Sequence, residues 1–293
     1  GRSFDALKGI YKFNPNSKLE AVVTYNNDDN DLNDLPEKEI YSIAEAGEIT
    51  KSLQIIHYDY SGKNKFQFSA IAMNQVLQNP SGAHYDLLTV GINSKKYLEN
   101  IGFFGSAYYQ TGKNTLAQSK NAYQFSANVD FLIHSKFNVI LGTEWLSGRN
   151  FDTDSGENKS FSPMYGTNHL HNGFMDYFYF GNSHFNSFGL NDYYLKSNLK
   201  FSPNSILQAN LHAFTSNGKL GFDTSGEKIP SYLGTELDLV FTHKIGKSIT
   251  ANLGHSFMFS GKSMEYLKNV PEPKNLQTWS WIAFRIAPNF KIK

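Results

Sequence analysis

The chain has 293 residues, 27 Lys plus Arg against 26 Asp plus Glu, and no cysteine. The charge balance argues against a general nucleic-acid binder, which needs a basic surface. The missing thiols exclude disulfide scaffolds, thiolate chemistry and Cys-based metal centres. Aromatic residues make up 15% of a chain whose mean hydropathy is only −0.43. No apolar run approaches the ~18 residues of a membrane helix, and the N-terminal GRSFDALKGI carries no signal-peptide core. A transmembrane β-barrel stays open, because its signal lies in alternation.

Alternation is what the chain shows. Period two predicts about 13 strands, at 4–13, 19–27, 51–60, 66–76, 84–94, 102–112, 121–134, 137–148, 187–201, 205–215, 231–245, 247–260 and 276–287. In 121–134, Tyr123, Phe125, Ala127, Val129, Phe131 and Ile133 oppose Gln124, Ser126, Asn128, Asp130 and His134. In 247–260, Ile249, Ala251, Leu253, His255, Phe257 and Phe259 form a largely apolar face opposite a largely polar one. The segments 51–60 and 102–112 alternate poorly, and PEKEIYSIAEA at 36–46 reads as a short helical turn within a loop. Many strands reach the ~9–11 residues that a tilted strand needs to cross a bilayer.

The connections alternate as well. Tight turns fall at 14–18, 61–65, 95–101, 134–137, 202–205 and 244–248, and longer loops at 28–50, 77–83, 113–120, 149–186, 216–230 and 261–275. Transmembrane barrels pair short periplasmic turns with long outer loops in this way. The first turn is short, so strand 4–13 runs from outside to periplasm, and so does 276–287. About 13 strands starting at the outer face do not close as an ordinary barrel of even strand number. The expectation is therefore a single all-β domain over 1–293, an antiparallel transmembrane barrel of about 14–18 strands when complete. Its strand 4–13 then pairs outside 276–287.

The same registers sort the side chains. Leu233, Leu237, Leu239 and Phe241 face lipid. The inward-facing charges are Lys8, Lys12, Lys196, Lys200 and Arg285 against Glu20, Asp130, Glu144, Asp192, Glu236 and Asp238. His212 joins them as a candidate in the solute path. Such a mixed wall predicts weak ion selectivity, without the single-sign field that steers ions.

Several local motifs carry competing readings. His169 and His171 at i, i+2 could chelate a metal with Asp176 as third ligand, or could hydrogen-bond a long loop into the barrel mouth. Asp152 and Asp154 have the oxygen density of an outer-loop calcium site but lack full EF-hand spacing. The ring-rich segment 174–180 carries aromatics on both faces if extended, which suits a loop packed into the pore, with Tyr177 at the constriction. Glu236 and Asp238 lie about 6–7 Å apart on one strand face, given a rise of about 3.3 Å per residue. That spacing would suit glycoside chemistry, yet Lys196, Asn252 and His212 on neighbouring strands make lumenal pairing the simpler account. No catalytic motif is present, so the chain reads as no enzyme and implies no cofactor.

Leu146-Ser147-Gly148, Tyr165-Gly166-Thr167-Asn168-His169, Asn172-Gly173-Phe174-Met175-Asp176-Tyr177-Phe178, Gly189-Leu190-Asn191-Asp192, Gly234-Thr235-Glu236-Leu237-Asp238-Leu239 and Gln277-Thr278-Trp279-Ser280-Trp281 together resemble the alginate-export family of outer-membrane barrels, in its Bacteroidetes branch. The resemblance covers roughly the C-terminal half of the chain. It implies a bacterial outer-membrane location and a barrel of about 18 strands, of which about five N-terminal ones would be absent here. The type member resembles an Arg-lined conduit for a polyanion, and the mixed wall of this chain departs from it. The expected function is a porin-like conduit for a polar or saccharide solute, in contact with outer-membrane lipid. The alternatives are a non-conducting structural or adaptor barrel that partners other envelope proteins, and a soluble carbohydrate-binding protein.

Overall fold

The computed structural model describes residues 5–26, 49–79, 81–164, 172–178, 187–270, 272 and 274–288. Alternation becomes strand throughout. In chain order these are β1 (Ala6–Asn14), β2 (Ser17–Tyr25), β3 (Ile49–Ser61), β4 (Phe66–Gln78), β5 (His84–Tyr97), β6 (Ile101–Lys113), β7 (Ser119–His134), β8 (Phe137–Leu146), β9 (Glu157–Asn158), β10 (Leu190–Ser202), β11 (Ser205–Thr215), β12 (Tyr232–Ile245), β13 (Ile249–Ser260) and β14 (Leu276–Ile286). One short helix, α1 (Ser263–Lys268), precedes β14. The long strands form a single antiparallel meander, each hydrogen-bonded to its neighbour in sequence. The two-residue β9 adds a parallel patch to the start of β7. Neither β9 nor α1 is announced by periodicity. The predicted turn at 36–46 lies outside the described residues.

Connections alternate as the sequence predicts. Short turns at 15–16, 62–65, 98–100, 135–136, 203–204 and 246–248 define one end of the sheet. The connections 26–48, 79–83, 114–118, 147–189, 216–231 and 261–275 define the other. Among the described residues β1 pairs only with β2, and β14 only with β13, so the sheet is not closed between them. This agrees with the expectation that the first strand does not pair with the last.

The two faces differ in chemistry. The outer one exposes Val90, Ile92, Leu141, Leu195, Leu211, Phe241, Leu253 and Ile282. Leu237 and Leu239 share that face with Phe241 through the β11–β12 ladder. Leu233 does not. The ladder slips between Phe214 and Thr215, where Tyr232 and Gly234 become the partners and Leu233 is the extra residue. Gly234 takes φ 157 there. This bulge turns Leu233 away from lipid into full burial, 0% exposed, beside Phe214 and Met258. Full burial of one such side chain contributes about 1.5–3 kcal/mol.

On the inner face, aromatic rings occupy the space over glycines directly opposite them. Tyr108 faces Gly91, Tyr194 faces Gly142 and Trp281 faces Gly254. A Cβ on these glycines would come within 2.0, 2.5 and 2.2 Å of the rings. A bare Cα lets each ring lie against the wall.

Candidate functional site

The inner wall is built by register. Cross-strand pairs share a face, and the ladders place Lys8 and Lys12 on β1 with Glu20 on β2. They place Asp130 and Glu144 with Asp192, Lys196 and Lys200, and His212 with Glu236 opposite it. Asp238 follows two residues on, and Arg285 faces Thr250 at the β14 edge. All the wall charges expected from sequence thus lie on one face. Several inward charges escape the sequence reading. Lys18, His57 and Asp59 join Glu20, Lys95 lies on β5, Lys120 on β7, and Lys244 at the end of β12. On β3 both faces are apolar in part, with Leu53 and Ile55 inward and Ile56 and Tyr58 outward, so hydrophobicity alone does not separate them. The partners on β2 and β4 do.

The charges fall into two tiers. Near the short turns, Glu20 lies 3.1 Å from Lys8 and 2.9 Å from Lys18, and Asp59 lies 3.3 Å from Lys18 and 3.4 Å from His57. Glu20, His57 and Asp59 are the one cluster of His, Asp and Glu close enough to hold a metal among the described residues. Lys18 already contacts both carboxylates there. Asp130 accepts from the Asn138 amide at 3.0 Å, and the Lys196 ammonium lies 4.5 Å from the Tyr194 ring centroid.

The other tier lies under the described parts of the 147–189 connection, residues 147–164 and 172–178, which fold back onto the wall. Its first limb is held by Lys120, 4% exposed, whose ammonium donates to Asn158 Oδ1 at 3.1 Å, to Ser162 Oγ at 3.2 Å and to the Ser160 carbonyl. The Gln110 amide brackets Ser162, donating to its carbonyl at 2.8 Å and accepting from its N–H at 3.0 Å. The second limb meets β12. Asn172 and Gly173 take φ 66 and φ 85, and the N–H groups of Phe174 and Met175 then donate to Glu236 Oε1 at 2.6 and 2.9 Å. Only glycine fits at 173, since a Cβ would sit 2.5 Å from that carboxylate. With its amide nitrogen toward the wall, Asn172 donates to Glu144 Oε2 at 3.1 Å and Asp192 Oδ2 at 3.3 Å. His212 Nδ1 lies 2.9 Å from both oxygens of Asp192. Its ring stacks on Phe214 at 5.6 Å, and Phe214 packs on Phe178 at 4.6 Å.

Of the ring-rich segment, residues 174–178 are described, and Phe178 among them is buried. Phe161, Phe178, Phe188, Leu220, Ile229 and Met264 join Phe214 and Leu233 in one buried cluster. Tyr177 donates its hydroxyl to Gln277 Oε1 on β14, and Lys268 of α1 donates to the Tyr177 carbonyl. Burial, with the Glu236 carboxylate nearby, pushes the Tyr177 phenol above its ordinary value. His169 and His171 lie outside the described residues. Asp176 takes φ 57. Asp154 uses Oδ1 to accept from Gly156 N at 2.6 Å, closing a turn, and Asp152 forms no metal cluster with it among the described residues. The pairing expected between Glu236–Asp238 and Lys196, Asn252 and His212 is not what forms. The loop N–H groups and Ser256 take the carboxylates, while Asn252 accepts from Thr242 at 2.7 Å.

No family model and no curated protein matches this chain. Solved structures do. A variant of OccD1 (OprD) superposes with a TM-score of 0.56 at 13% identity, over 94% of this chain and 67% of that one. OccK11 (OpdR) of Pseudomonas aeruginosa gives 0.55 at 9% identity over 98% and 71%. OpdK of the same organism, solved with vanillate, gives 0.55 at 10% identity over 96% and 68%. The fold is that of an outer-membrane β-barrel porin. The likeness is one of fold, and these neighbours are OprD and Occ porins, not alginate exporters.

Proposed function

We propose that the chain forms a bacterial outer-membrane conduit for small polar solutes, with its aperture set by the 147–189 connection. The observation that carries this is the loop clamped to two separate stretches of one polar inner wall, Lys120 on β7 and Glu236 on β12. The porin fold and the lipid-compatible outer face support it. Inward Asn, Gln, Ser and charged groups replace water around the solute.

The wall's accessible charge shapes selectivity. Asp192, Glu236 and Asp238 are buried beneath the loop. What remains toward the bore is Lys8, Lys12, Lys18, Lys95, Lys196, Lys200, Lys244 and Arg285 against Glu20, Asp59, Asp130 and Glu144. The cations are spread from β1 to β14 and form no dense belt. We therefore favour small neutral or anionic organic solutes over a polyanion, and the resemblance to alginate exporters bears on architecture. That OpdK was solved with vanillate, a small carboxylate, supports this class.

The test is single-channel recording of the full-length protein in planar bilayers under a salt gradient. A reversal potential of modest anion preference is expected. Cation preference would contradict the wall assignment, and absence of conductance would turn the reading to a structural or adaptor barrel.

A further inference from the structure

Three acceptor oxygens on β11 and β12 have no donor among the described residues: Glu236 Oε2, Asp238 Oδ2 and Asn210 Oδ1. Their side chains are almost wholly buried, at 0%, 0% and 2% exposure. All three project inward, with Asn210 directly opposite Asp238 and Glu236 two residues further along β12. Each carboxylate is satisfied on one side only. Glu236 Oε1 takes the N–H groups of Phe174 and Met175, and Asp238 Oδ1 takes the Ser256 hydroxyl at 2.5 Å.

Neither neighbouring cation makes a close ion pair with Glu236 or Asp238 among the described residues. His212, opposite Glu236, gives Nδ1 to Asp192. Lys196, opposite Asn210, rests against the Tyr194 ring and faces Asp192, Asp238 and Glu144, with no ion pair within 4.0 Å among the described residues. Buried carboxylates without a close counter-charge are costly, and either a proton or a bound cation relieves that cost. The unpartnered Asn210 oxygen, which carries no charge and cannot be neutralised by a proton, marks the same spot independently of the acids.

We propose that Glu236 Oε2, Asp238 Oδ2 and Asn210 Oδ1 bind a calcium ion in the wall beneath the loop. The donor set is oxygen only, which selects a hard cation. Calcium accepts carboxylate and amide oxygens in irregular geometry, whereas magnesium keeps several waters in a strict octahedron and suits so dry a place poorly. Glu236 then bridges the ion and the loop, one oxygen on each, so that calcium holds the loop against β12. The site does not depend on whether the bore conducts.

The test is calcium titration of the EDTA-treated full-length protein in detergent, read by calorimetry and thermal unfolding, with magnesium as comparison. The expected result is one saturable site, a rise in Tm with calcium, and at least tenfold weaker binding in D238N and in N210A. N210A removes no charge and keeps the fold testable should D238N fail to assemble. Calcium binding unchanged in both variants would place the ion elsewhere, and D154N serves as the control for the outer loop. Absence of binding at millimolar calcium, with stability that instead rises on acidification, would assign a proton shared by the two acids and overturn the proposal.

Discussion

Tyr108 fills the space that a side chain on Gly91, its directly opposed partner on β5, would need: a Cβ there would lie 2.0 Å from the Tyr108 ring. Gly91→Val therefore forces the ring off the wall and into the bore. The expected cost is about 1–3 kcal/mol of overpacking, with reduced single-channel conductance. Pairing it with Tyr108→Ala should restore conductance. Equal conductance in the single variant and the native protein would contradict the packing.

The faces can be separated by charge. Leu239→Lys puts a cation on the lipid face and should cost about 2–4 kcal/mol if it lies near the bilayer midplane. Asn198→Lys, on the inner face opposite Gln208, should fold as the native protein does. Heat-modifiability on gels and urea unfolding in detergent give the comparison, and equal losses would refute the register.

Lys120 holds the first limb of the loop. Lys120→Met keeps the stem and removes the ammonium, leaving the Ser160 carbonyl, Asn158 and Ser162 without it. A buried charged hydrogen bond contributes about 1.5–3 kcal/mol. Limited chymotrypsin digestion should cut faster near Phe161, with the barrel core intact on the same gel.

The second limb titrates. The Tyr177 phenol is raised by burial, so its neutral form is favoured in the folded loop. Its contribution is complete below the unfolded tyrosine value of ~10 and is lost as pH rises through the higher folded value. Ultraviolet titration should show a late-ionising fraction that falls by one tyrosine in Tyr177→Phe. Loop protection from protease should persist to pH ~10 in the native protein.

Much of the architecture was legible because a membrane strand must alternate, and the predicted spans and turn lengths coincide with β1 to β8 and β10 to β14. The inward charges on β7, β10 and β12 followed from the same parity. Leu233 was misplaced because a bulge resets parity, and Gly234, a strand glycine of the kind that often marks a bulge, is the one hint within LGTELDLV of where the partner strand slips. Lys18 was missed because it was read into the turn at 14–18, whereas β2 begins at Ser17, and Asp59 because the pattern of β3 leaves its faces ambiguous and only a neighbour's register settles them. The clamp on Glu236 was out of reach, since it joins residues 61 and 62 positions apart through a left-handed turn. Glycines opposite rings are likewise a property of two strands together.

The two ends of this wall are fastened by different forces. The outer end is tied by a dry aromatic cluster and buried hydrogen bonds, which added salt barely weakens. The inner end is laced by the half-exposed network of Lys8, Lys18, Glu20, His57 and Asp59, whose attractions fade once the Debye length shrinks toward ~3 Å at about 1 M salt. Ionic strength thus acts as a selective lubricant, loosening the mouth on the short-turn side while the loop-bearing rim keeps its shape.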